Sequence, residues 1–252
     1  MTLTPKMFLI VCPLLFLAGF VDSIAGGGGL ISLPAYLFAG LPVHMAIGTN
    51  KLSSACGTSL TTVRFIRGGL IRWRLALPGI AAAMIGSSLG SKLSLLADEK
   101  LIRAVLFAVL PLAAFIVLNP RLFPDREERE IVVDARTITV CVIAALVIGF
   151  YDGFYGPGTG TFLIIAFTAF AKLSVSAANA HAKVINLTTN ITALIVFLRG
   201  GTVLIPLGLA AAACNMLGNY IGSGLAMKSG AKITRPIILV VLGLLLIKLL
   251  TE

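Results

Sequence analysis

Charge is what this sequence has least of: 12% of its 252 residues are Asp, Glu, Lys or Arg, about half the roughly 25% of an average soluble domain. A chain so poor in charge cannot cover a water-facing surface, which excludes a soluble globular fold. Histidine occurs twice and tryptophan once, and Cys12, Cys56, Cys141 and Cys214 stand singly inside apolar runs without CxxC spacing. That leaves neither a zinc site nor a disulfide framework, and apolar packing is the expected role of these thiols. P-loop, nucleophile elbow, metal-ligand cluster and paired catalytic carboxylates are all missing, so neither an enzyme nor a cofactor is expected. The net charge of +10 comes from basic residues spread over polar connections, as a positive-inside bias alone produces, so nucleic acid is not an expected partner.

What the chain has instead is apolar length. Hydrophobic residues make up 58% of it and the mean hydropathy is +1.03. Runs long enough to cross a bilayer, which takes about 20 helical residues, fall near 7–24, 44–66, 75–97, 101–118, 137–151, 174–198, 203–227 and 235–250. Two shorter runs, 29–41 and 158–171, follow glycine-rich breaks and read as short spans or re-entrant segments. The lipid bilayer is therefore the first expected partner. Lys6 ahead of an apolar run ending "SIAG" also resembles a signal peptide, but a copy of the same segment in mid-chain, where no signal can lie, favours a retained membrane segment.

That copy is part of a tandem repeat. Residues 19–29 match 149–159, "AIGTNKL" at 46–52 faces "ANAHAKV" at 178–184, "FIRGG" at 65–69 faces "FLRGG" at 197–201, and Gly86 and Gly90 face Gly218 and Gly222. The organisation read from this is a first transmembrane repeat over 1–118, a polar charged linker over 119–136 and a second repeat over 137–252. The basic residues of the loop 64–74 have only Arg199 as counterpart around 196–206, while Lys228, Lys232 and Arg235 stand without the acids Asp98 and Glu99 of the first half. Equivalent loops thus face opposite sides under the positive-inside rule. The fold class expected is an all-α polytopic membrane protein of two inverted repeats, each of about five helical segments with a glycine-rich break. A parallel arrangement of four plus four, with re-entrant short runs, is the alternative.

The breaks "GFVDSIAGGGGLISLP" at 19–34 and "GFYDGFYGPGTGTFLI" at 149–164 place bare backbone between apolar segments. Irregular backbone at membrane depth is tolerated only where protein buries it or where it lines a watery cavity. A short helix starting after each break would point its free N–H groups and positive dipole end into that cavity, which suits an anion. Gly26, Gly27, Gly28 and Gly29 in the first break, and Gly156, Gly158, Thr159 and Gly160 in the second, are the candidate substrate-binding backbone. Close helix packing is the competing role of such glycines, and the preferred one for Gly86, Gly90, Gly218 and Gly222.

"DSIAGGGGLISLP" with "GTNKL" in the first half, and "GFYDGFYGPGTGTFLI" with "AHAKVINLTTNI" in the second, resemble the sulfite exporter TauE/SafE family, also called the toluene sulfonate uptake permease family. The likeness runs over the whole chain and is closest to the YfcA-like branch. It implies a multi-pass permease of a bacterial or archaeal plasma membrane, with substrates such as sulfite, sulfonates and other small anions. The halves differ at the second break, which has Pro157 and Thr159 where the first has Gly27 and Gly29.

Lys51 and Lys183 are paired across the repeats, beside Thr49, Asn50, His181 and Asn186. An ionised residue at depth costs about 2.5 to 3.5 kcal/mol and usually faces a cavity or a partner, so these six join the candidate substrate-binding set. Snorkelling to the interface is the alternative for the lysines. Asp22 and Asp152, also paired, read as coupling-ion candidates for H+ or Na+, as caps of the following segment, or as partners of the lysines. Arg67 and Arg199, each followed by Gly-Gly, read as helix ends. The expected function is secondary transport of a small anion bound between the repeats. A passive anion channel, or a carrier whose acids bind a cation cargo, are the alternatives; the oligomeric state is not legible.

Overall fold

A computed structural model describes residues 3–98, 100–101, 133–230, 232–234, 236–237 and 240. Among them the regular structure is entirely helical. Eight helices are complete: α1 (Pro5–Ala25), α2 (Gly29–Phe38), α3 (Val43–Arg67), α4 (Trp73–Leu96), α5 (Ala135–Phe154), α6 (Thr159–Ala169), α7 (Val175–Arg199) and α8 (Ile205–Ser229). The apolar runs 101–118 and 235–250 and the linker 119–136 lie outside the described residues, apart from a few at their margins. Four helices, α1, α4, α5 and α7, are by themselves long and apolar enough to cross a membrane.

The helix boundaries follow local chemistry. Asp134 and Ser174 cap α5 and α7 by accepting from Thr137 N and Ala177 N at 2.7 and 3.3 Å, which satisfies amides that the first turn leaves open. At their other ends α3 and α7 carry Arg67 and Arg199 in the last turn, and Gly69 and Gly201 reverse the chain at φ 69° and 67°. Both paired arginines thus sit where a cation complements the helix dipole. The short helices α2 and α6 have 10 and 11 residues, so each extends only about 15 Å, roughly half the ~30 Å hydrocarbon core. Neither crosses alone.

The two sequence halves do not form separate bodies. The most extensive interfaces join α1 to α8 and α4 to α5, each a helix of one half against a helix of the other. Small residues let these backbones meet: a methyl on Gly86 or Gly90 would run into the carbonyls of Leu146 and Phe150, and one on Gly218 or Gly222 into those of Phe16 and Phe20. The four scattered glycines are therefore packing devices, as expected, and they pack in reciprocal fashion. The same reciprocity holds at the loops. Thr49, near the start of α3, accepts from Leu204 N at 3.0 Å, while His181, near the start of α7, accepts from Arg72 N at 3.1 Å. The connection after α7 thus lies at the N-terminal end of α3, and the connection after α3 at the N-terminal end of α7.

Candidate functional site

The break after α1 begins at Gly26, whose φ of 78° turns the chain into the left-handed region while its amide returns to Asp22 O at 2.8 Å. The break after α5 contains Gly156 and Gly158, with φ of 101° and 85°. Glycine adopts these angles at little steric cost. The two breaks then touch each other. A Cβ on Gly160 would lie 2.5 Å from Gly26 Cα and 2.7 Å from its carbonyl oxygen, so bare backbone meets bare backbone at the junction of the halves. Thr161 Oγ1 donates to Ala25 O at 2.7 Å, and Asn179 Nδ2 to Ile24 O at 3.0 Å, which fastens the end of α1 to α6 and α7.

Around this junction the four paired charges come together, crossed between the halves. Lys51 of α3 stands 2.9 Å from Asp152 of α5, and Lys183 of α7 stands 2.8 Å from Asp22 of α1. Lys51 and Lys183 are 1% and 0% exposed. A side chain that snorkels keeps its ammonium in water, so the snorkelling alternative fails for both. The carboxylates are the lysines' partners, which is one of the three roles open at the sequence level; neither caps the next helix. Each pair offsets the several kcal/mol that desolvating an isolated charge costs.

A small cavity opens beside the pairs, with a free volume of about 20 Å³, room for about one water. Lys51, Asp22 and Asp152 line it, with Asn50 and Asn186 and the backbone of Gly26, Gly29, Gly156, Thr159 and Gly160. Asn50 Oδ1 accepts from Ser54 and Asn186 Oδ1 from Asn190, and neither NH2 group donates to a protein acceptor among the described residues. Two amide donors, one ammonium and the leading backbone of α2 and α6 at Gly29 and Gly160 therefore line one space, while the amides of Leu30, Ile31 and Thr159 are already given to Gly27 O, Gly28 O and Gly156 O. Ser54 and Asn190 also line the cavity and were not among the expected residues. The signal existed, because Ser54 is the repeat counterpart of Asn186, and Asn190 lies one turn beyond Asn186 on the same face.

Other expected residues stand elsewhere. Lys183 is sealed behind the cavity by its bond to Asp22. Thr49 is spent on the start of α8, and His181 does not face the cavity: Nδ1 lies 2.8 Å from Ala177 O and Nε2 takes the Arg72 amide. This corrects the expectation of a histidine beside the anion, since Nδ1 is engaged within its own helix and Nε2 holds the amide ahead of α4. Gly27, Gly28 and Gly158 shape the breaks without lining the cavity. Gly28 packs on α1, where a Cβ would lie 2.6 Å from Ala18 O and from Asp22 Cβ, so bulk there presses on the scaffold rather than filling the site.

The family model described as sulfite exporter TauE/SafE matches residues 11–249. A probable membrane transporter protein, ORF9 of Sinorhizobium sp., is 37% identical over 238 residues, covering 94% of this chain and 90% of that protein. The probable membrane transporter protein YfcA of Escherichia coli K12 is 34% identical over 250 residues, covering 99% and 91%, and a probable membrane transporter protein of Haemophilus influenzae is 34% identical over 227 residues, covering 89% and 87%. No solved structure matches.

Proposed function

This chain belongs to the sulfite exporter TauE/SafE family of membrane transporters, and from that premise we propose that it carries a small, sulfur-containing anion, sulfite or an organosulfonate, bound between its two halves. The single observation that supports this site is the meeting of the two glycine breaks beside Lys51, with the amide groups of Asn50 and Asn186 turned to the same space. A tetrahedral or pyramidal oxyanion suits such a site, because its several oxygens take several donors at once. The narrowness of the cavity favours a carrier that closes around its cargo over an open pore. The equal number of lysines and aspartates gives no excess negative charge to favour a cation cargo. The protein works in this reading as a multi-pass permease of a bacterial or archaeal plasma membrane.

Titration of the purified protein with sulfite, methanesulfonate, sulfate and acetate tests the reading. Lys51→Met is expected to weaken binding of the preferred anion tenfold or more, since one charge-assisted hydrogen bond is worth roughly 1.5 to 3 kcal/mol. Lys51→Met leaves Asp152 unpaired, so Lys51→Met/Asp152→Asn provides a second variant without a stranded buried charge. Unchanged affinity in both would remove Lys51 from the site.

The halves are proposed to be inverted, with 64–74, the central linker and 228–235 on the cytoplasmic side. The reciprocal bonds of Thr49 and His181 support this, because they put the equivalent loops 68–72 and 200–204 at opposite ends of the antiparallel pair α3 and α7. Leu70→Cys and Thr202→Cys, each made in a chain lacking the native cysteines, are expected to react with an impermeant maleimide from opposite sides of the membrane. Reaction from one side alone would favour parallel halves.

A further inference from the structure

The two crossed ion pairs look equivalent in sequence, yet they differ in geometry. Lys183 Nζ donates a well-directed hydrogen bond to Asp22 Oδ2 at 2.8 Å. Lys51 Nζ is almost as close to Asp152 Oδ2, at 2.9 Å, but that oxygen receives no hydrogen bond in proper geometry. Asp152 is 2% exposed. A buried carboxylate oxygen with charge contact alone lacks part of the stabilisation that the other pair has. Asp152 lines the cavity, as Asp22 does, but Asp22 Oδ2 is already taken by the hydrogen bond from Lys183.

We propose that Asp152, rather than its counterpart Asp22, takes up the proton that accompanies the anion, and that this protonation frees Lys51 to bind the anion. The proposal rests on the reading of the cavity as an anion site. Its logic is charge balance. With both pairs intact, Lys51, Asp152, Lys183 and Asp22 sum to zero, so a monovalent anion entering alone would leave one uncompensated negative charge in a poorly solvated space. A proton moving from water to Asp152 Oδ2 breaks the Lys51–Asp152 pair and makes a Lys51–anion pair in its place. No other bond forms or breaks, and the sum returns to zero. Proton and monovalent anion then move together in one direction, without net charge transfer, along whichever gradient dominates.

The surroundings leave Asp152 as the residue with this freedom. From α3 it faces Lys51; from α1, Asp22, which is held by Lys183 of α7. His181 of α7 is turned to Arg72. The sequence of α6 contains no ionisable side chain, and the cations of α4, Arg74 and Lys92, are both exposed. On its own helix, Tyr151 gives its hydroxyl proton to Pro157 O, and Tyr155 flanks the break.

Calorimetric titration in detergent measures the coupling directly. Methanesulfonate serves as probe beside sulfite, because a sulfonate stays ionised at every working pH and brings no proton of its own. Titrations in buffers of different ionisation enthalpy, in choline salts, are expected to show about one proton taken up per methanesulfonate bound by the wild type. Its affinity is expected to fall about tenfold for each unit rise in pH over the range in which Asp152 must be protonated on binding. Asp152→Asn keeps a neutral side chain at that place, so it is expected to bind with no proton uptake and a flat pH dependence. Proton uptake that persists in Asp152→Asn but is lost in Asp22→Asn would overturn the assignment. Tight binding by the wild type without proton uptake, or binding that strengthens with sodium instead, would overturn proton coupling while leaving the anion site in place. Failure to bind any of the anions tested above would remove the anion site itself, and this proposal with it.

Discussion

Gly160→Ala is expected to abolish anion binding and to lower the stability of the protein sharply, although the substitution adds a single methyl group. The added Cβ would stand 2.5 Å from Gly26 Cα, 2.7 Å from Gly26 O and 3.0 Å from Gly26 C, against the 3.5 to 4.0 Å at which carbon atoms rest. All three neighbours are backbone, so no side chain can rotate away, and the two breaks have to separate by about an ångström to restore ordinary contact. Overpacking a core ordinarily costs about 1 to 3 kcal/mol. Here the displaced backbone also carries the cavity wall, so the donors lose their common focus as well. Gly160 does not have a positive φ, so the effect is steric alone. Gly40→Ala supplies the contrast, with φ of 88° and nothing within 4 Å of an added Cβ. That variant is expected to lose about 1 to 2 kcal/mol through backbone strain and to bind the anion normally. Thermal unfolding in mild detergent, together with anion titration, reads both quantities. Normal melting and normal affinity in Gly160→Ala would mean that the breaks do not meet.

Lys183→Met is expected to cost about 3 to 5 kcal/mol, the range for breaking one side of a buried ion pair, in a protein whose total stability is of the order of 5 to 15 kcal/mol. The ammonium is fully buried and bonded to Asp22, and methionine replaces its stem without its charge. The loss comes chiefly from the Asp22 carboxylate left without a partner. Asp22→Asn/Lys183→Met removes both charges together and is expected to recover most of the stability. A double-mutant cycle in detergent, with Asp22→Asn as the other single variant, should therefore show a coupling well above the ~0.5 kcal/mol scatter of independent sites. Additive single costs would mean that the two groups stabilise the fold separately.

These outcomes bear on how much of the site could be read beforehand. The ends of α3 and α7 were legible from Arg67 and Arg199 followed by paired glycines, because capping and chain reversal depend on a few neighbouring residues. The breaks at Gly26–Gly29 and Gly156–Gly160 were legible for the same reason, and the apolar runs of α1, α4, α5 and α7 were legible from their length against the bilayer. His181 was misplaced because its neighbour Lys183 shares its helix but not its face. Its partner, the amide of Arg72, lies 109 residues away, and nothing local announces it. Gly28 was misplaced likewise. Four consecutive glycines are indistinguishable in sequence, and only the approach of α1 makes Gly28 a packing residue while Gly26 and Gly29 line the cavity.

The amino-acid sequence by itself determined that this is a membrane-spanning helical protein with an internal repeat, that each half breaks its first apolar segment with glycine, and that a lysine and an aspartate recur at matched positions. These are properties of composition, period and local backbone preference, and they survive without knowledge of any neighbour. Only the tertiary structure decided that Lys51 joins Asp152 and Lys183 joins Asp22, each across the halves rather than within its own. It also decided that, of two carboxylates lining one cavity, one is hydrogen-bonded by its lysine while the other keeps an oxygen without a hydrogen bond. The physical reason is that partner choice between buried charges depends on how helices distant in sequence cross, and those crossings are set by where backbones can approach, at Gly26 against Gly160 and along the glycine seams of α1 with α8 and α4 with α5.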